Sequence, residues 1–291
     1  RGFDLSNTTF IEGETGIIVI DCLTSTECSK AALDLYCENR GNRIVVGVIF
    51  THGHADNFGG VKGVISRAEL SRNGSTKIPI IAPKGFLEHT VSENTFTGNA
   101  MARRAGYMYG YHLAKCPHGQ ISCGLGSTLS SGTITIISPN LDITHTGQVE
   151  VVDGVELIFQ ITPGTETPAE MNIFFPQFRA LGAAVRDALA WSSYLDEFIV
   201  LFAEKTDTTF ASHHWPTWGY DRISKYLAEQ RDSSAYLHDQ TVQMINQGLN
   251  GTEIAENFVL PIKLQPVWHF QGFYGTAVHN VKAIYQRYDL V

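Results

Sequence analysis

Several features are scarce in this 291-residue chain, and each shortage removes a class of explanation. No apolar run approaches the roughly 20 residues that a membrane span needs. Basic residues do not dominate: 21 Lys and Arg stand against 29 Asp and Glu, a formal net charge of -8. That balance argues against nucleic acid or an anionic membrane surface as a partner. It still admits an anionic small molecule, because a metal ion can dominate its own surroundings. The cysteines are few and odd in number, and Cys22, Cys28, Cys37, Cys116 and Cys123 lack CxxC spacing. Free thiols are expected, which leans towards a reducing compartment such as the cytoplasm. No signal peptide is read, although the chain begins at Arg1 and a preceding segment is left open. Asn7-Thr8-Thr9, Asn73-Gly74-Ser75 and Asn250-Gly251-Thr252 match a glycosylation sequon, a pattern short enough to recur by chance. No internal repeat or low-complexity linker is visible.

What is present is an ordinary globular composition, 43% hydrophobic and 17% charged, long enough for one large domain and a small one. One stretch organises it. Ile44-Val45-Val46-Gly47-Val48-Ile49-Phe50 reads as a buried strand and runs into Thr51-His52-Gly53-His54-Ala55-Asp56-Asn57-Phe58-Gly59-Gly60. Histidines two apart on an extended segment point the same way, so His52 and His54 can share one cation. Asp56 is again in phase and is either a hard oxygen ligand or a base. Gly59-Gly60 allow the backbone to pass tightly into the next element. A solvated polar turn is the plainer alternative.

Around this stretch the pattern alternates. Thr9 to Glu12 and Gly16 to Asp21 form a hairpin, with Asp21 at its end placed to cap the next helix. Thr26 to Asn39 is a helix closed by Gly41, Val61 to Arg67 begins another, and Ile78 to Ala82 is a strand. The β-α-β-α order predicts a layered α/β architecture. Phe86 to Tyr111 has helical spacing and carries Arg103-Arg104, whose forked donors suit an anion, or simply a solvated helix face. Gly119 to Gly132 is a loop. Strand Val155 to Ile161 leads into Thr162-Pro163-Gly164-Thr165-Glu166-Thr167-Pro168, where two prolines keep Glu166 on a non-helical loop. A third metal ligand is expected there, against the alternative of a surface carboxylate. Asn172 to Phe175 is a strand and Asp187 to Glu204 a helix. Strand Thr208 to Ser212 delivers His213-His214 beside Trp215 and Trp218, as a ligand near an apolar wall or a buried structural histidine. From Tyr220 the texture turns helical, with helices predicted at Asp221 to His238, Asp239 to Leu249, from Gly251, and at the C-terminus around His279.

Together these residues resemble the alkyl sulfatase branch of the metallo-β-lactamase superfamily, whose signature is His-x-His-x-Asp-His at a strand end. The resemblance is carried by Arg1 to Asn7, Thr51 to Gly63, Gly98 to Gly110, Gly119 to Gly132, Pro163 to Pro176, Ala183 to Leu195, Ser212 to Gly219 and Gly275 to Tyr288. It implies an αββα sandwich followed by the start of an all-helical dimerisation domain, with a boundary near residue 236: catalytic 1–235, helical 236–291. It further implies a homodimer acting on alkyl sulfates such as dodecyl sulfate, amphipathic esters that yield an alcohol and inorganic sulfate. Zinc acidifies a bound water in such enzymes. By the same resemblance, Asp21 supports the metal loop, as the alternative to capping the helix, and His52, His54 and Glu166 hold one zinc. Asp56, the position of Asn57 and His213 (with His214 second in line) hold another. His279, Arg103 and Arg104 face the sulfate, and Tyr109 and Trp215 line the alkyl group.

This chain departs from that pattern twice. Asn57 stands where the family has histidine, and an amide is a poor zinc ligand. A segment of some 15–20 residues that carries a bridging glutamate is missing between Leu181 and Gly182. The flanks match on both sides, so a loop omitted from the present chain is favoured over a clean deletion beside a hydrophobic core. One zinc or none is therefore expected. Hydrolysis of another ester, lactone, β-lactam or phosphodiester, and a non-catalytic descendant, are the rival readings.

Overall fold

In the computed structural model, residues 2–66, 78–183 and 188–288 are described. The sequon at Asn73, Arg67 and Asp187 lie outside them. Two sheets face each other. The first comprises β1 (Thr9–Glu12), β2 (Gly16–Ile20), β3 (Ile44–Ile49), β4 (Ile80–Pro83) and β5 (Leu141–Ile143), in that spatial order. β1 and β2 are the antiparallel hairpin, with Phe10 opposite Val19; the other neighbours are parallel. The second comprises β6 (Val149–Val152), β7 (Val155–Ile161), β8 (Met171–Phe175), β9 (Ala180–Ala183), β10 (Thr208–Ala211) and β11 (Thr217–Trp218), in the reverse order β11 to β6. Here only β9 and β10 run parallel, because a helix crosses over between them.

The core follows from side-chain alternation. Ile18 and Ile20 of β2, Ile49, Ile81 and Ile143 point inwards and meet Leu157, Phe159, Met171, Ile173 and Phe175 of the opposite sheet. Ile17 and Val19, on the other face of β2, pack with Val48, Phe50, Phe58, Val61 and Phe86. All five residues of β2 are consequently buried, which explains its unbroken apolar run. α1 (Thr26–Arg40), capped by the Ser25 hydroxyl and closed at Gly41, lays Leu33 and Tyr36 on that outer face. α2 (Ala55–Phe58), α3 (Val61–Val64) and α4 (Phe86–Val91) complete the layer; α5 (Gly98–Tyr109) follows. The outer face of the second sheet, at Phe174 and Leu181, is covered by α6 (Ala188–Phe202) and α7 (Tyr220–Asn246) through Trp191, Leu195, Phe198, Ile223 and Leu227. The result is the expected αββα sandwich.

A small helical unit follows. α8 (Gly251–Asn257), opened by an Asn250–Glu253 capping box, and α9 (Ala277–Tyr288) bury Ile254, Ala255 and Val281 against Leu237, Met244 and Ile245 of α7.

Two local expectations change. The two helices predicted either side of His238 are one, since no Gly or Pro interrupts them and Thr241 Oγ1 folds back onto the Leu237 carbonyl at 2.6 Å. Residue 236 thus falls inside α7. The helix beginning at Val61 ends at Val64, where Ile65 is already extended. At the place of the missing family segment, Leu181 and Gly182 lie in β9, paired with Phe174 and Ile173 on one side and Thr209 and Phe210 on the other.

Phe159 is fully buried between the sheets. Phe159→Ala is expected to lower the free energy of unfolding by about 3–5 kcal/mol through lost burial and the cavity it leaves, measured by urea denaturation.

Candidate metal centre

The site is built on strand ends. Asp21 follows β2 with φ 53°, in the left-handed region that an Asp tolerates only with local hydrogen bonds to hold it. Its buried carboxylate accepts from the Thr51 N–H (3.0 Å), the Thr51 hydroxyl (2.9 Å) and the Ser212 hydroxyl (3.0 Å). One side chain therefore ties together the ends of β2, β3 and β10. Ser25, not Asp21, caps α1, so the supporting role is the one realised. Burial pushes the Asp21 carboxyl up to about 7, against the lowering effect of these donors.

The tie sets the orientation of His52. Its Nδ1 lies 2.9 Å from Thr51 Oγ1. That hydroxyl spends its proton on Asp21, so Nδ1 carries the hydrogen and donates to Oγ1, leaving the Nε2 lone pair facing inwards. The backbone of His52 forms an isolated bridge to Glu170, and Met171 N–H donates to the Thr51 carbonyl at 3.1 Å. The loop between β7 and β8 is thereby pinned beside the histidines.

Glu170 shapes that loop. Its Oε2 accepts from Thr165 Oγ1 (2.7 Å), Glu166 N–H (2.7 Å) and Thr167 N–H (3.0 Å). Burial, then the neighbouring Glu166 charge, raise its carboxyl to about 8. The turn so formed aims Glu166 at the histidines: Glu166 Oε1 is 3.2 Å from His54 Nδ1 and Oε2 is 3.9 Å from His52 Nε2. His52 Nε2 and His54 Nδ1 are 3.1 Å apart. Donors about 2.0–2.1 Å from a tetrahedral ion stand about 3.3 Å from one another, so these separations bracket what one cation requires. All three ligand atoms lie within 4.8 Å of each other. His52, His54 and Glu166 form a group that can hold a metal ion, with the two-nitrogen, one-carboxylate donor set of an open zinc site.

Asp56 stands apart from this trio. The chain turns helical at Ala55, so the extended-strand phase ends and Asp56 faces His213, with Oδ2 3.6 Å from Nε2. His213 Nδ1 lies 3.3 Å from the Leu5 carbonyl, and Ser6 Oγ donates to the Asp56 carbonyl. Asp4 braces that segment by accepting from Thr24 N–H (2.8 Å), Ser130 N–H (2.8 Å) and Ser130 Oγ (2.7 Å). Burial raises the Asp56 carboxyl, opposed by His213 and His54. Gly60 serves close approach rather than unusual backbone: a Cβ there would meet the Cys22 carbonyl at 2.1 Å.

Asn57 is fully buried between these two groups. Its Nδ2 lies 3.1 Å from His52 Nε2, the lone pair that a cation would use, and its Oδ1 has no hydrogen-bond partner among the described residues.

The remaining candidates lie outside the cluster. Arg103 and Arg104 are exposed on α5, with Arg104 Nη1 3.9 Å from Met101 Sδ. Tyr109 stacks on Tyr274 at 6.1 Å. His279, in the first turn of α9, has Nδ1 2.8 Å from Thr276 Oγ1. Among the described residues, Arg103, Arg104 and His279 make no hydrogen bond or ion pair with the cluster. Trp215 is 72% exposed, and His214, at φ 64°, turns its carbonyl onto Asn7 Nδ2 (2.8 Å). Sequence reasoning gave no role to Thr51, Ser212, Glu93 or Glu170. Only Glu170 carried a signal, as a second acidic residue just past Pro168 in the connection from β7 to β8.

Residues 1–213 match the metallo-beta-lactamase superfamily, and the chain belongs to it. Residues 250–289 match the alkyl sulfatase dimerisation family. The chain is 43% identical, over 305 residues, to the alkyl/aryl-sulfatase BDS1 of Saccharomyces cerevisiae, covering 99% of this chain and 47% of that protein. It is 40% identical to an (R)-specific secondary-alkylsulfatase of Pseudomonas sp., covering 99% and 46%. Among solved structures, the stereoselective inverting sec-alkylsulfatase Pisa1 from Pseudomonas sp. superposes with a TM-score of 0.94 at 39% identity, covering 99% and 48%. The chain spans about half the length of the curated relatives it matches. The match to the yeast protein is longer than the chain itself, so that relative carries residues with no counterpart here.

A protein loaded with zinc at a hundred times its dissociation constant is expected to gain about 2.7 kcal/mol of stability. Removing the metal with a chelator should reverse that gain in thermal unfolding, and His52→Ala should abolish the difference.

Proposed function

We propose that the protein hydrolyses sulfate esters of aliphatic alcohols, such as dodecyl sulfate, to the alcohol and inorganic sulfate, with zinc held by His52, His54 and Glu166. The observation that carries this reading is the convergence of these three donors in a chain whose curated relatives are named alkyl sulfatases. A bound zinc supplies Lewis-acid polarisation and acidifies water towards neutrality. The protein does the rest. His52 presents Nε2 because Thr51 and Asp21 fix its other nitrogen, and Glu166 is aimed by the Glu170-centred turn. Asp56, paired with His213, is the carboxylate placed to take and hold a proton beside the first group. In this reading the substrate is amphipathic: Arg103, Arg104 and His279 serve its sulfate, while Tyr109 and Trp215 serve its alkyl chain. The helical segment, residues 236–291, is part of a homodimer interface.

One cation, not two, is the expected complement. Asn57 offers a neutral amide where the superfamily signature has an imidazole, and its Nδ2 competes for the His52 lone pair. The same residue favours the second reading, a descendant that binds an amphipathic anion without turning it over.

Sulfate release from dodecyl sulfate by the zinc-loaded protein, run beside a lactone and a phosphodiester, separates these readings. Selective turnover of the sulfate ester supports the first; binding without turnover of any of them supports the second. Asn57→His is expected to raise the metal stoichiometry from about one towards two by elemental analysis and to increase the rate of sulfate release.

A further inference from the structure

The approach to the metal loop departs from regular helix at one point. After α4 the chain makes a π turn, Ser92–Phe96, before Thr97 leads into α5. A π turn inserts a residue into the helical ladder and re-aims the side chains on it. Here two consecutive side chains reach the same short loop. Asn94 Nδ2 donates to the Gly53 carbonyl (3.1 Å) and to the Thr90 carbonyl (2.9 Å). Glu93 Oε1 lies 3.2 Å from His54 Nε2. Gly53 is flush against this helix, since a Cβ there would meet Thr90 Oγ1 at 2.7 Å. The residue between the two histidines is thus held by backbone and side chain together.

His54 has its two ring nitrogens on opposite duties. Nδ1 faces His52 and Glu166, while Nε2 faces the Glu93 carboxylate. A neutral imidazole carries one N–H, and an ionised carboxylate can only accept. We propose that Glu93 is a positioning residue for the metal centre: it takes the Nε2–H of His54 and so holds the ring in the tautomer that offers the Nδ1 lone pair to the cation. The contact is a close approach rather than an aligned hydrogen bond. A cation at Nδ1 would make the Nε2–H a stronger donor to the Glu93 carboxylate. The π turn is the device that brings Glu93 within reach, and Asn94 locks it there. The two histidines then obtain opposite tautomers from different neighbours, Thr51 for His52 and Glu93 for His54.

The proposal rests on His52, His54 and Glu166 holding a cation, and the test separates the two. Zinc affinity by calorimetry, the visible spectrum of the cobalt-loaded form, and the melting temperature of the metal-free protein are measured for the wild type, Glu93→Ala and Glu93→Gln. Glu93→Ala is expected to weaken zinc binding by about 10- to 100-fold and to shift the cobalt spectrum, while leaving metal-free melting unchanged. Glu93→Gln, whose carbonyl still accepts an N–H, is expected to recover most of the affinity. Wild-type binding and spectrum in Glu93→Ala overturn the proposal alone. A fall in metal-free melting temperature that Glu93→Gln does not rescue marks a merely structural role and also overturns it. A wild type that binds neither zinc nor cobalt overturns the cation site and this proposal with it.

Discussion

The Asp21 carboxylate is the constraint on which the rest of the site depends. The ladder between β2 and β3 aligns their ends, but β10 belongs to the other sheet, and apolar packing between the layers does not fix how its end lines up with theirs to a fraction of an ångström. Apolar packing sets the layers but is non-directional. Three donors from Thr51 and Ser212 converging on one buried acid supply the missing direction. The left-handed backbone at Asp21 is a local cost that these bonds offset. Through Thr51, the same acid reaches His52 and determines which nitrogen faces the centre.

Beyond Asp21 the site concentrates charge with little access to water. Glu170 is fully buried and Asp56 largely so, burial shifts both carboxyls upwards, and Glu166 adds a third acidic group close by. Such a grouping is unfavourable unless protons or a cation share it. The histidines, with lone pairs directed at one point, are arranged for the cation. Asn57 lies where the two halves meet, and its Oδ1, without a hydrogen-bond partner among the described residues, is a buried polar atom with an energetic cost.

Much of this was legible in the sequence. The strand ending in His-x-His-x-Asp and the proline-bounded loop around Glu166 are local patterns, and each maps onto a strand end in the fold. The layered architecture followed from the β-α-β-α order of the elements and the αββα order from the family resemblance, while the unbroken apolar run of β2 reflects its two covered faces. Legibility failed where geometry is set by partners distant in the chain. Asp56 leaves the strand phase because α2 begins one residue earlier. The contact of Glu93 with His54 depends on a single π turn that apolar periodicity does not register. Two helices were read where α7 is continuous, since polar residues around His238 imitate a break without supplying a cap.

That continuity makes α7 a shared beam. At 1.5 Å per residue its 27 residues span about 40 Å. Ile223 and Leu227, near its start, lie under the second sheet, while Leu237, Met244 and Ile245, near its end, form the floor of the small helical unit. A force or a contact applied to that unit is transmitted along a stiff rod rather than absorbed by a linker. The strand end bearing Ser212 and His213 lies just ahead of the near end of the rod, so the two ends of the chain's architecture are mechanically in series.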